Sequence, residues 1–76
     1  MNLYCVFQEG VYRHECAGVF DSWAEAVKAA DAIAFADHDS YHNYDVFQFT
    51  LNEIGKEGSA LYSVNKDKAT QKRDER

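Results

Sequence analysis

Two groups of residues in this chain have the types and spacing to do chemistry. His38 and His42 stand four apart beside Asp37, Asp39 and Asp45, and a helix running through both would bring the imidazoles to one face, as a zinc or nickel site needs. The run Asp37-His38-Asp39-Ser40-Tyr41-His42-Asn43 is instead made of loop-forming residues, and it lacks the placed glutamate and third ligand of a HEXXH helix. It reads as a solvated acidic loop, and no metal is assigned to it. The second group is Cys5, Cys16 and His14. A tight turn at Glu9-Gly10 would set Cys5 opposite His14 and leave the thiols diagonal, too far apart for a relaxed disulfide, whereas a four-residue loop would set them directly opposite. A thiol among Leu3, Phe7, Tyr12 and Phe20 has a raised pKa and reacts poorly. The chain contains no glycine-rich phosphate loop, no Ser-His-Asp signature and no CxxC. These readings point away from an enzyme, with no catalytic residue and no cofactor assigned.

The elements that must carry these residues follow from apolar periodicity. Leu3 to Phe7 is a continuous apolar run of strand length that stops at Gln8-Glu9-Gly10. Residues 11–20 then alternate, with Tyr12, His14, Cys16 and Phe20 on one side. With the turn at Glu9-Gly10, Leu3, Cys5 and Phe7 share a face with Tyr12, His14 and Cys16, and this face is expected to be the core. Ser22 and Glu25 form a capping box that opens a helix over about residues 23–37. Its inward side is read as Trp23, Val27, Ala30 and Ala34, with Ile33 and Ala26 at the margin and Phe35 turned away. A second strand pattern covers residues 44–52, where Phe47, Phe49 and Leu51 alternate with Val46, Gln48 and Thr50. Gly55-Lys56-Glu57-Gly58 marks a turn, and residues 59–64 are read as a short fourth strand.

The expected fold is therefore α+β: a single domain over residues 1–64, with a three- or four-stranded antiparallel sheet covered on one face by one helix in the order β-β-α-β-(β). Residues 65–76 hold one apolar side chain, Ala69, among Lys, Asp, Gln, Thr and Arg. With so little to bury they read as a mobile charged tail, or a frayed helix that orders on a partner.

Length and charge bound the function. Seventy-six residues allow one domain and little room for a deep catalytic cleft. Residues 1–57 hold ten acids against Arg13, Lys28 and Lys56, net −7, while residues 58–76 hold three acids against five bases, net +2, which together make the overall −5. An acidic body repels phosphate backbones, so direct nucleic-acid binding is not expected. No run approaches the roughly 20 apolar residues of a membrane span, Met1-Asn2-Leu3 is not a secretory start, and two cysteines do not make a disulfide framework. These features lead to the expectation of a cytoplasmic protein with no membrane contact.

Three segments carry a resemblance: Leu3-Tyr4-Cys5-Val6-Phe7, Gly18-Val19-Phe20-Asp21-Ser22 with Glu25-Ala26, and Tyr44-Asp45-Val46-Phe47-Gln48-Phe49-Thr50-Leu51-Asn52-Glu53. Together they look like a group of short, uncharacterised phage and bacterial proteins, over about two-thirds of the chain. The resemblance implies a β-β-α-β layout and a phage or mobile-element origin, and it supplies no catalytic residues.

The function expected from these observations is a small acidic protein-interaction module that binds and modulates a host protein. Phe35, Asp37, Asp39, Tyr41 and Tyr44 are its candidate contact residues, tyrosine being favoured at interface hot spots. One alternative is an acidic mimic of nucleic acid, in which Glu25, Asp31, Asp37, Asp39 and Asp45 occupy the phosphate groove of an enzyme. Another is a metal-binding or purely structural small protein. The apolar segment 46–51, if it lay on an open edge, would pair two copies into a homodimer.

Overall fold

Asn2 to Glu9 forms strand β1, which a computed structural model of the chain places near the middle of a four-stranded antiparallel sheet. The structure describes residues 1–10, 14–38, 40–52 and 60–74. The other elements are β2 (His14–Phe20), α1 (Trp23–Ala36), β3 (Asn43–Thr50), β4 (Tyr62–Val64) and α2 (Lys66–Asp74), and the strand order is β2-β1-β3-β4. The fold is α+β, with one main helix and a short C-terminal one, in agreement with the class expected from the sequence. Among the described residues no helix is long and apolar enough to cross a membrane.

The hairpin register differs from the one expected. Gln8 faces Glu15 and Glu9 faces His14, so the connection is longer than a two-residue turn, and its residues 11–13 lie outside the described residues, Tyr12 included. A β-bulge interrupts the pairing: Val6 faces Gly18 while Phe7 faces Cys16, which leaves Ala17 as the extra residue. Past the bulge Phe20 lies on the opposite face from His14 and Cys16, and it packs against the core. Gly18 makes room for that ring, since a Cβ there would come 2.9 Å from a Phe20 ring carbon. Cys5 faces Val19 rather than His14, and both cysteines are free.

Helix α1 begins where the capping box placed it: Ser22 is extended and its hydroxyl accepts from the Glu25 amide at 3.4 Å. Its buried stripe is Ala26, Ala30 and Ala34, an i, i+4, i+8 row, with Trp23 at the edge. Three methyl-sized side chains let the helix sit close on the sheet, and what they meet is small as well: Val6, Val46 and Val64 are the largest fully buried side chains. The covered face of the sheet thus carries Tyr4 and Val6 of β1, Tyr44 and Val46 of β3, and Tyr62 and Val64 of β4.

This inverts the expected core. Leu3, Cys5 and Phe7 point to the face with no helix, together with Phe47 and Phe49. Strand β1 is apolar on both faces, so alternation alone does not choose between them. In the structure the alanine stripe of α1 packs over Val6, Val46 and Val64, with Tyr44 in the same core and Tyr4, Tyr62 and Phe20 packed against it.

Residues 66–74, expected as a tail, form helix α2 alongside α1. Asn65 caps it, accepting from the Lys68 amide at 3.0 Å, and Ala69 is buried. Two cations do the docking that apolar side chains do elsewhere: Lys66 Nζ and the Arg73 guanidinium lie over the Phe35 ring, 5.6 and 4.0 Å from its centroid. Lys66 also donates to the Phe35 carbonyl at 2.8 Å. That places a positive charge at the C-terminal turn of α1, which has no basic residue of its own.

Candidate functional site

Polar side chains of the structure gather into three clusters, two of which hold residues that the sequence offered for chemistry. In the first, Asp37 ends α1 and accepts from Tyr44 Oη at 2.6 Å, while His42 Nδ1 lies 3.0 Å from the same carboxylate oxygen. Gln8 Nε2 donates to Tyr44 Oη at 3.0 Å, which ties the end of the helix to β1 and β3. His42 also packs against Gly10, where a Cβ would come 2.9 Å from its ring. Asp37 and Tyr44 are therefore joined in one network that fastens the end of α1 to the sheet. The helix stops at Ala36, so His38 and His42 are not on a common helical face. Among the described residues no three His, Cys, Asp or Glu side chains gather as a metal site would require.

In the second cluster, Asp31 of α1 accepts from Tyr62 Oη at 2.5 Å and from Lys72 Nζ at 2.7 Å, and Lys72 also reaches Tyr62 Oη at 2.7 Å. The bond to Asp31 holds the Lys72 ammonium above its ordinary pKa, and burial, with Asp31 beside it, raises the Tyr62 phenol. Trp23 meets Tyr62 edge to face, 6.4 Å between centroids. Trp23, Asp31 and Lys72 border an open groove of about 740 Å³ between α1 and α2, lined also by Val27, Ala32, Phe35 and Arg73.

The third cluster lies at one end of the other sheet face, which among the described residues no helix covers. Asp45 is buried, and Ser63 Oγ donates to it at 2.6 Å. Glu9 stands beside it with His14 Nδ1 at 3.5 Å. The hydrogen bond between the Glu9 and Asp45 carboxyls raises the Glu9 pKa, burial adds to this, and His14 opposes it.

Beyond that acidic end, the uncovered face is apolar. Leu3, Cys5, Phe7, Phe47 and Phe49 are half-buried there, and Val19 is 55% exposed. Phe7 and Phe47 meet edge to face at 5.7 Å. Cys5 lies on this face with its pKa raised, mainly by burial and then by Cys16, which makes it a poor nucleophile. Sequence reasoning placed these residues together but assigned them to the interior. The signal that would have found them is size: the bulkiest apolar residues of β1 and β3 share the odd-numbered positions.

Of the five candidate contact residues, Tyr41 is the most open at 82% exposure. Phe35 is half-buried under Lys66 and Arg73, Asp37 and Tyr44 share the network at the end of α1, and Asp39 lies outside the described residues. Asp31, Asp37 and Asp45 each accept a hydrogen bond from a tyrosine or serine of the fold. No family model matches the chain, nor does any curated protein or solved structure.

Proposed function

We propose that this chain is a small acidic protein-interaction module that works by holding another polypeptide and modulating a protein of the host, with no chemistry of its own. The observation that carries the reading is the sheet face that, among the described residues, no helix covers. Three of the five phenylalanines, Phe7, Phe47 and Phe49, lie on the side that neither helix covers, whereas the side under α1 is closed by alanines over valines and tyrosines. A contiguous apolar face rimmed by polar residues is the usual mark of a protein contact. The phage-like resemblance supports a host protein as the target of such a module.

Two further features support a binding role. The polar clusters bond inward and brace the fold, and the half-buried Cys5 thiol is held protonated. Three of the five carboxylates needed for a nucleic-acid mimic, Asp31, Asp37 and Asp45, are turned to partners within the chain, so nothing favours that reading over an apolar contact.

The test is capture of partners by the tagged protein at about 0.1 M and about 0.5 M salt, since salt screens exposed charges and leaves apolar contacts intact. Retention at both salts by the natural chain, and loss with Val19→Lys, is the expected result. Capture that vanishes at high salt, or that Val19→Lys leaves unchanged, would remove the sheet face from the account.

A further inference from the structure

Charge is shared unevenly between the two layers of this molecule. The lysines and arginines among the described residues, Lys28, Lys66, Lys68, Lys72 and Arg73, all lie on α1 or α2, and the strands hold none. Lys28, Lys72 and Arg73 line the groove between the two helices. Against them stands one carboxylate, Asp31, which already accepts from Lys72 and Tyr62. Arg73 rests on the Phe35 ring and Lys28 is exposed, and among the described residues neither is in an ion pair. The groove is therefore a positive strip on a chain whose net charge is −5, and a local field of that sign selects an acidic ligand.

The floor beneath these cations is small and apolar. Ala24, Val27 and Ala32 fall between Trp23 and Phe35 along α1, and Ala69 of α2 lines the other side. Trp23 and Phe35 stand three turns apart, about 18 Å along the helix axis. A row of small side chains lets a further helix come close, and three turns is enough to seat apolar anchors at i, i+3, i+4 and i+7. We propose that this groove binds an acidic amphipathic helix of another protein, with its apolar face on the alanine and valine floor and its carboxylates against Lys28 and Arg73. A nucleic acid would meet the same cations, but Asp31 repels its phosphates and the apolar floor gives its backbone nothing to pair with. The groove is lined by α1 and α2 alone, away from the sheet face described above, so the two surfaces can be tested apart.

Trp23 is the sole tryptophan of the chain and is 39% exposed at the groove, so its emission reports what enters there. The experiment titrates the full chain with a synthetic peptide of about 14 residues, leucine at the four anchor positions and glutamate on the flanks, free of aromatic residues. Salt is held at about 0.1 M, which screens the acids of the chain that lie more than about 10 Å away. A saturable blue shift with a Kd of about 100 µM or tighter is expected, and binding about tenfold weaker for a peptide with lysine in place of glutamate. Ala32→Glu and Lys28→Glu both change exposed positions, and each should weaken the acidic peptide about tenfold. Lys28→Glu should also strengthen the lysine peptide, a reversal that loss of folding could not produce. Val19→Lys, on the sheet face, should alter neither titration. The proposal is overturned if no saturable shift appears up to about 500 µM peptide, if the two peptides bind equally, or if Val19→Lys abolishes binding that Ala32→Glu leaves intact. It is overturned as well by a single-stranded DNA of about 12 nucleotides that shifts Trp23 where the acidic peptide does not, since the cations would then serve phosphates.

Discussion

Phe7 and Phe47 meet edge to face across neighbouring strands, 5.7 Å between ring centroids, on the side of the sheet that neither helix covers. One residue along each strand, on the other side, Val6 and Val46 also face one another and are fully buried beneath α1. The side under α1 carries these valines together with Tyr4, Tyr44 and Tyr62, and the other side carries Phe7, Phe47 and Phe49. The alanine stripe of α1 leaves room for both the valines and the tyrosine rings beneath it.

The two sides should respond differently to substitution. Val46→Ala removes two methyl-sized groups from a fully buried site and is expected to cost about 2 kcal/mol, from lost transfer energy and the space left behind. Ala30→Leu should cost at least about 2 kcal/mol, because extra methylenes would lift α1 off the strands. Urea unfolding of each variant measures both. An Ala30→Leu protein as stable as the natural one would show that the helix does not need its close seat.

Tyr44 is the hub of the network that ends α1. Its hydroxyl donates to Asp37 and accepts from Gln8. Tyr44→Phe keeps the ring in the core and leaves a part-buried carboxylate with one partner fewer, so a loss of about 1 to 2 kcal/mol is expected. The amides near residues 34–38 should also exchange faster with deuterium, since the last turn of the helix loses its tie to β3. Exchange confined to the sheet, with that turn unchanged, would contradict the role assigned to Tyr44.

Helix α2 docks through one buried methyl group and several cations. Ala69→Glu places a charge where α2 meets α1, and it should release the helix while the sheet stays folded. The expected reading is a loss of helical circular dichroism equivalent to the nine residues of α2, with the Trp23 fluorescence shifted as Ala69 and Lys72 leave the groove beside it. A variant that unfolds altogether would mean that α2 is part of the core rather than an addition to it.

How much of this was legible beforehand depended on whether a local signal was unambiguous. Ser22 and Glu25 fixed the start of α1 within a residue, because a capping box is read from four positions in a row. The alternation of Phe47 and Phe49 marked β3, but a period of two says only that alternate residues share a face, not which face is inside. The register of the hairpin was hidden by the bulge at Ala17, which changes the pairing by one residue; the adjacent Gly18, a lone glycine inside a strand pattern, was the signal that could have found it. Residues 66–74 were misread as a tail because their sole apolar residue is Ala69. Their capping Asn65, the acidic Asp67 in the first turn and Lys72 and Arg73 in the last were all in the sequence, and these are helix signals independent of hydrophobicity. The site was harder to see than the fold. Residues chosen for polarity, such as Asp37 and Tyr44, brace the structure, while the surface open to a partner was hidden among residues assumed to be core.

The acidic end of the uncovered face gives a prediction in pH. Glu9 shares a hydrogen bond with Asp45, and that bond together with burial raises its pKa above the ordinary 4.5, against the opposing pull of His14. A raised carboxyl pKa means that the folded chain holds a proton the unfolded chain has already released. Between pH 4.5 and the raised value, the folded state therefore binds more protons than the unfolded one, and this group's contribution to stability falls as pH rises through that window. At neutral pH the repulsion between Glu9 and Asp45 remains as a cost. Glu9→Gln keeps the shape and removes the charge, so it should stabilise the chain at pH 7 by up to about 1 kcal/mol, the size of a like-charged cross-strand contact. It should change stability little at pH 4, where the natural residue is itself protonated. Urea midpoints of the two proteins from about pH 4 to about pH 7.5 test this: the curves should separate as pH rises, and curves that stay parallel across the range would show that Glu9 and Asp45 do not repel one another in the folded chain.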